Sequence, residues 1–420
     1  MKHLIAIVAP LMLALGLIGG VLLDRHVLLA FAPPDNLPAD ASPAFKLMAE
    51  AWNAVEQHYV DSAALQPERL ADGTIGGMVD ALGDTGHSRF LTAAEARQEN
   101  DALQGQLVGI GAEIQLSNGQ LVVVAPLDGS PAQQAGLRPG DVIVQVNGSN
   151  IVGLPLEQVL GQVQGPAGTP VTLTLLDPAT GHTHDVTIVR ARITLHNVTW
   201  QRLPGNAIVH LRLAAFSQGV GQELRAALAD IQKQGATDVV LDLRNDPGGL
   251  ADEAIAVASQ FLRGGNVFLE QNAQGQITPV PVQPDAVAPN IPLVVLVNQG
   301  TASASEIAAG ALQDAHRAML VGETTFGTGT VLNQFSLSDG SVLLLATEEW
   351  LTPSGRTIWH HGIMPDAMVA LPPAVAPLLP EAERVMTPAQ LRASSDAQLL
   401  RALDVLAQDR AAASSTQQMR

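Results

Sequence analysis

Leu293-Val294-Val295-Leu296-Val297-Asn298-Gln299-Gly300-Thr301-Ala302-Ser303-Ala304-Ser305-Glu306-Ile307 runs from an unbroken aliphatic stretch, through a Gly-containing turn, into small hydroxyl residues. The aliphatic run reads as a strand buried on both faces, and Ala304 to Ala315 reads as the helix that follows. Such a turn leaves a hydroxyl at a helix N-terminus, where backbone N–H groups without intrahelical partners can stabilise an oxyanion. A Ser or Thr in that place is also an ordinary N-cap. Chemistry therefore needs a second feature.

That feature lies upstream, in Leu241-Asp242-Leu243-Arg244-Asn245-Asp246-Pro247-Gly248-Gly249-Leu250. Here too a buried strand, Val239 to Leu243, ends, and paired glycines precede a helix over Ala251 to Phe261. Glycines let backbone approach a ligand and turn its N–H groups inward. Ile208 to Leu213 reads as another strand and Gly219 to Lys233 as an amphipathic helix. The strand–helix alternation from about residue 205 predicts parallel βαβ units with active residues at strand C-termini. Two neighbouring strands ending in these loops would set a hydroxyl opposite a pair of backbone donors, the geometry of acyl transfer.

Outward from this core the pattern changes. Residues 105–192 read as short strands and turns. Leu121 to Val124 follows the turn Asn118-Gly119, Ser130 to Leu137 is a short helix, and Asp141 to Val146 is a strand. Leu156 to Val163 is a helix and Val171 to Leu175 alternates as a strand. Residues 44–104 form a helical unit, with Phe45, Met48, Trp52 and Val55 at helical spacing, a second helix over Pro67 to Leu82 and a third from Thr92. Residues 32–43 read as a Pro-rich linker, 193–372 as the core, and 373–420 as a tail with a helix near Asp396 to Leu406 and a polar, frayed end.

Composition narrows the function. The 420 residues carry a net charge of −18, so a polyanionic nucleic acid partner is set aside. No cysteine is present, which excludes disulfides, thiolate catalysis and zinc–cysteine sites. His182, His184 and Asp185 follow a turn and read as a solvated hairpin, and no His-Glu-x-x-His helix occurs. Neither a metal nor a cofactor is expected. Met1-Lys2-His3 precedes an apolar run from Leu4 to Leu23, about long enough to cross a bilayer. A retained membrane anchor within residues 1–31 is the favoured reading. A cleaved signal ending near Ala30-Phe31-Ala32 is the alternative. Either way the remainder is expected outside the cytoplasm, at the outer face of the cell membrane or in the periplasm.

Taken together, these stretches resemble the carboxyl-terminal processing peptidases, over nearly all of the chain after residue 43. That family carries Asn-x-Gly-Ser-Ala-Ser-Ala-Ser-Glu-Ile, which here reads Asn298 to Ile307 with Thr301 for the first serine. Gly310 to Asp314, Val321 to Gly327 and Leu351 to Arg356 also match its motifs. The resemblance implies an α+β multidomain protein: an N-terminal helical unit, a PDZ-like β-domain, and an α/β peptidase core of the crotonase-like ββα-superhelix kind. It implies Ser303 as nucleophile, with the Ala304 N–H and one from Gly248 or Gly249 as oxyanion hole. Gln106 to Ala112 and Ser130 to Gly148 resemble the family's PDZ domains. The peptide-binding stretch is then Leu107, Val108, Gly109, Ile110 and Gly111, which would hold a substrate's terminal carboxylate while the peptide adds as a strand.

One position departs. The family has Phe-Gly-Lys-Gly, its lysine acting as general base, but here Thr328 stands there, 25 positions after Ser303, and Leu332 replaces a glutamine four residues on. A neutral threonine hydroxyl does not take a proton from serine near neutral pH. The only lysines are Lys2, Lys46 and Lys233, none placed near Ser303 by the sequence. Histidine suits the task, and His87, in Gly83-Asp84-Thr85-Gly86-His87-Ser88, resembles a histidine loop of the wider superfamily. His360 or His361 are further candidates. The expected function is a serine endopeptidase acting near the C-termini of exported proteins. The alternative is an inactive pseudopeptidase that grips C-termini as a scaffold or regulator.

Overall fold

The computed structural model describes residues 41–84, 88–117, 120–126, 130–138, 141–154, 156–176, 181–372 and 375–418. The chain divides into two compact units, 1–75 and 76–420. In the first, α1 (Ser42–His58) opens on Pro43, whose fixed φ suits a first helical turn. None of its residues is buried, and Phe45, Met48 and Val55 stay exposed. α2 (Pro67–Asp80) follows. The proposed anchor and most of the linker lie outside the described residues. Among the described residues no helix is long and apolar enough to cross a membrane.

In the second unit, β1 (Arg89–Leu91) is followed by α3 (Ala93–Leu103), whose N-cap Thr92 and Glu95 form a reciprocal capping box. β2 (Gln106–Gly109) leads into a β-domain: β3 (Ala112–Ser117), β4 (Gln120–Pro126), α4 (Pro131–Gln134), β5 (Val142–Val146), β6 (Ser149–Asn150), α5 (Leu156–Val163), β7 (Pro170–Leu176) and β8 (Thr183–Val189). Its sheet runs β3-β4-β5-β7-β8, with β6 on β5. Val123, Ile143, Leu173 and Ile188 share its core. β3 is a terminal strand of that order, so among the described residues one of its backbone edges pairs with no other strand. The Asn118-Gly119 turn joining β3 and β4 lies outside the described residues, but the antiparallel pairing on either side of it is present.

β9 (Ala191–Thr194) pairs with β2 and leads to the core. There β10 (Val198–Arg202), β11 (Ile208–Leu213), α6 (Val220–Lys233), β12 (Asp238–Asp242), α7 (Ala251–Ser259), β13 (Asn266–Asn272), β14 (Ile277–Pro281), β15 (Leu293–Val297), α8 (Ala304–Asp314), β16 (Met319–Gly322), β17 (Thr330–Ser336), β18 (Val342–Leu351) and β19 (Ala367–Met368) follow in order. The central sheet is β10-β11-β12-β15-β16-β19, parallel from β11 onward. Strand alternation sorts its residues between two cores. Val239, Leu241, Val295 and Val297 face α6, α7 and α8, while Val240, Val294 and Leu296 face the tail. That is why β15 is apolar at every step and β12 from Val239 to Leu241.

A second sheet, β1-β18-β13-β14 with β17 also on β18, was not read from the sequence. The tail forms α9 (Pro380–Glu383), α10 (Pro388–Arg392) and α11 (Ala397–Gln418). The last helix corrects the expectation of an end near Leu406. Leu399, Ala402, Val405 and Leu406 anchor it in the core, and the Ala-rich stretch beyond Leu406 has the helix propensity to continue to Gln418.

Candidate active site

β12 and β15 are adjacent and parallel, so the turns at their C-terminal ends lie side by side. Side chains and backbone stitch the two together. The Asn245 N–H donates to Asn298 Oδ1 at 2.9 Å and the Asn298 amide to Asn245 Oδ1 at 2.8 Å. The Thr301 hydroxyl, fully buried, donates to the Leu243 carbonyl at 2.8 Å and accepts the Asn298 N–H at 3.0 Å. The Asp246 carbonyl accepts the Ala302 N–H at 3.0 Å and the Ser305 hydroxyl at 3.1 Å.

Ser303 is the N-cap of α8, with φ 55° and ψ −120°, backbone angles that a serine rarely adopts. Gly248 presses against it. A Cβ at Gly248 would fall 2.7 Å from the Ala304 nitrogen and 2.9 Å from Ser303 Cβ, so only glycine fits at φ 92°. Gly249 is equally confined, by the Phe216 carbonyl, and Leu250 N–H donates to that carbonyl at 2.8 Å. The two glycines differ as donors. The Gly248 N–H is engaged by Asp246 Oδ1 at 2.8 Å. Among the described residues the Gly249 and Ala304 N–H groups find no protein acceptor. The Ala304 N–H, next to Ser303 in the chain, and the Gly249 N–H, on the same cavity wall as Ser303, are thus without acceptors among the described residues.

A cavity of about 470 Å³ opens on Ser303. One side is the 247–251 turn with Ala302 and Ser303. The other comes from α3, β1, β17 and β18, including Leu91, Leu103, Leu332, Leu344 and Trp350. Phe326 and Thr328 close it from the loop after β16. Among the described residues the only charged side chains in this lining are Arg89 and Glu99, paired at 2.6 Å. Thr328, half-buried, therefore shares the cavity with Ser303 but supplies no base.

His87 lies outside the described residues. Its neighbour Ser88 is tied to β18, accepting the Ala346 N–H at 3.0 Å, and Arg89 lines the cavity. His360 stacks on Trp359 at 4.6 Å, and neither His360 nor His361 is among the residues lining the cavity. The peptide-binding stretch falls at the entry to the β-domain. Leu107, Val108 and Gly109 pair with β9. Ile110 is buried, its carbonyl accepting the Ala132 N–H at 2.8 Å, and Gly111 turns at φ 73° directly before the open strand β3.

Two buried carboxyls at this end of the sheet were missed from sequence. Burial raises Asp246 to about 7, against the bonds from Gly248 and Ser305 that pull it down. Glu306 is fully buried and also raised by burial. The spacing Ser303-x-x-Glu306 is that of a capping box and was available as a signal.

Comparison with known proteins agrees with this layout. The profile of peptidase family S41 matches residues 207–369, and a PDZ domain profile matches residues 122–177. A CtpA-like serine protease of Staphylococcus epidermidis is 39% identical over 307 residues, 73% of this chain and 62% of that protein. A relative of the same description from Staphylococcus saprophyticus is 35% identical over 340 residues, 80% of this chain and 68% of that protein. The chain thus spans 62% of the first relative's length. A solved S41 protease from Bacteroides fragilis shares the fold at a TM-score of 0.53, with 18% identity over 90% of this chain and 99% of that one.

Proposed function

This chain belongs to the carboxyl-terminal processing peptidase family, and on that premise we propose that it is a serine endopeptidase cutting exported proteins near their C-termini. The β-domain captures a C-terminus on the edge of β3, with the 107–111 stretch at its carboxylate end. Nearby backbone then enters the cavity. The Ser303 hydroxyl attacks the scissile carbonyl, its proton passing to a base, and the Ala304 and Gly249 N–H groups receive the oxyanion. The tetrahedral intermediate collapses with protonation of the leaving amine. Water, deprotonated by the same base, releases the acyl group and restores Ser303.

The observation that carries this reading is the packing of Ser303 against Gly248, together with two uncommitted N–H donors, at the mouth of a cavity. His87 is proposed as the base. In its favour, the next two residues reach β18 and the cavity wall. We further place the enzyme outside the cytoplasm, held by the apolar segment Leu4 to Leu23. Fractionation of cells, with and without carbonate washing, checks that point.

A fluorophosphonate label tests the hydrolase. It should react with the wild type, not with Ser303→Ala, and slowly with His87→Ala. Activity should fall as pH drops through about 6–7, as expected for imidazole. The pseudopeptidase reading is favoured by one specific observation, that Thr328 faces the same cavity as Ser303. It predicts an inert wild type that binds C-terminal peptides and gains cleavage on Thr328→Lys.

A further inference from the structure

Glu306 lies in the first turn of α8 and is fully buried. Its Oε2 accepts the Ser303 N–H at 3.0 Å and the Thr328 N–H at 2.8 Å. Its Oε1 accepts the Thr325 hydroxyl at 2.5 Å and the Gly327 N–H at 2.7 Å. The Glu306 N–H itself donates to the Ser303 carbonyl at 2.8 Å. Thus Ser303, held in backbone angles that a serine rarely adopts, is gripped at both its amide and its carbonyl by one residue.

The same carboxylate holds the loop on the far side. Phe326 and Thr328 line the cavity. Behind them Gly329 lies so close to Trp359 that a Cβ would fall 2.1 Å from the Trp359 nitrogen. The loop is therefore clamped between Glu306 and the 358–362 segment. The groups facing Glu306 are Ser303 from its own turn and Thr325, Gly327 and Thr328 from the loop, none of them charged. Among the described residues no basic group bonds to it. Burial pushes its carboxyl up, and these four donors hold the ionised form in place.

We infer that Glu306 is the positioning residue of the site: its carboxylate fixes the Ser303 turn, and with it the aim of the hydroxyl and of the Ala304 N–H, relative to the Thr328 loop. This rests on Ser303 being the nucleophile. A carboxylate is required because all four partners are donors; an amide in its place would turn an NH2 toward N–H groups.

The test uses the full chain. Glu306→Gln should label with fluorophosphonate about 100-fold more slowly, the scale expected of a misplaced reacting group. Its kcat should fall alike, with KM for a peptide substrate unchanged. Thr325→Val removes one donor, so the carboxyl should take a proton at higher pH. A second acid-side loss of kcat/KM, separate from the imidazole limb and absent in Glu306→Gln, should then appear, which a merely structural role would not produce. Independently of activity, Ser303, Gly327 and Thr328 amides should exchange about tenfold faster or more in Glu306→Ala, with the β12 and β15 amides unchanged. Wild-type labelling by a folded Glu306→Gln, or unchanged exchange at those amides, overturns the inference. A wild type that takes no label instead removes the hydrolase reading, and the exchange experiment still decides the role of Glu306.

Discussion

The central sheet buries charge in two places, and it does so in opposite ways. On the tail side, His210 of β11 lies between Glu383 Oε1 at 2.7 Å and Asp242 Oδ2 at 3.0 Å. Arg244 bridges Asp242 at 2.7 Å and Asp396 at 2.9 Å, all of them buried. Every acid there has a cation in contact. Burial works against the charged imidazole, yet the two carboxylates raise His210 to about 9. Arg244 and His210 likewise hold Asp242 well below the usual carboxylate range despite burial. At the C-terminal ends of β12 and β15, by contrast, Asp246 and Glu306 are buried with hydrogen-bond donors but no cation in contact. Asp246 Oδ2 has no partner at all among the described residues.

The difference separates holding from working. The tail network pairs every acid with a cation and fastens α9 and the start of α11 to the sheet, although Glu383 Oε2, like Asp246 Oδ2, has no hydrogen-bond partner among the described residues. The other end keeps strain at Ser303, an orphan carboxylate oxygen and two uncommitted N–H groups. Features of that kind gather at functional sites, where stability is given up for a prepared geometry.

Breaking the contrast should give its largest effect on the tail side. Arg244→Ala strands Asp396 as a buried unpaired charge, leaves Asp242 only His210, and should lower unfolding free energy by about 3–5 kcal/mol in denaturant titration. A loss under about 1 kcal/mol would mean the network holds nothing.

Next comes His210. Its folded pKa, about 9, lies above the ordinary 6.5, so its contribution is complete below about pH 6.5 and is lost as pH rises through 9. Wild-type stability should decline by about 3 kcal/mol across that window, and His210→Gln should lose most of that decline.

Asp246 sharpens the contrast from the other end. Its folded pKa of about 7 also exceeds its ordinary 3.8, so the protonated form favours folding and stability falls as pH rises from about 4 through 7. Asp246→Asn keeps an acceptor for the Gly248 N–H but cannot ionise. Thermal melts should find that slope removed and the variant about 1–3 kcal/mol more stable at pH 8.

The smallest effect belongs to Ser303→Gly, which relieves the backbone at φ 55°. It should gain about 1 kcal/mol while losing all labelling. Unchanged or lower stability would show that the turn stores no strain.

Much of this contrast could be read in advance on one side only. Ser303, Gly248, Gly249 and Ala304 lie next to strong local signals, an aliphatic strand and a Gly turn, and the structure brings all four together. Glu306 carried a capping-box spacing, but its bonds to Thr325, Gly327 and Thr328 come from a loop some 20 residues on, which no local pattern announces. His210 and Asp242 read as polar interruptions of apolar strands. Glu383, which meets His210, and Asp396, which meets the Arg244 that also grips Asp242, sit more than 150 residues away in the tail.

The amino-acid sequence by itself determined the β12 and β15 strands, the turns that end them and the helices that follow. Each depends on side chains a few residues apart, through hydrophobic period and glycine freedom. Only the tertiary structure decided the far wall of the cavity. β1 joins β18 with Arg89 opposite Leu344, and Thr330 to Ser336 mixes apolar and polar residues as a half-exposed strand does, so neither its type nor its partner is encoded locally. The same holds for charge. Whether a buried acid meets a cation or only N–H groups depends on what the fold carries to it from elsewhere in the chain, and that pairing fixed which end of the sheet holds the molecule together and which holds Ser303 ready.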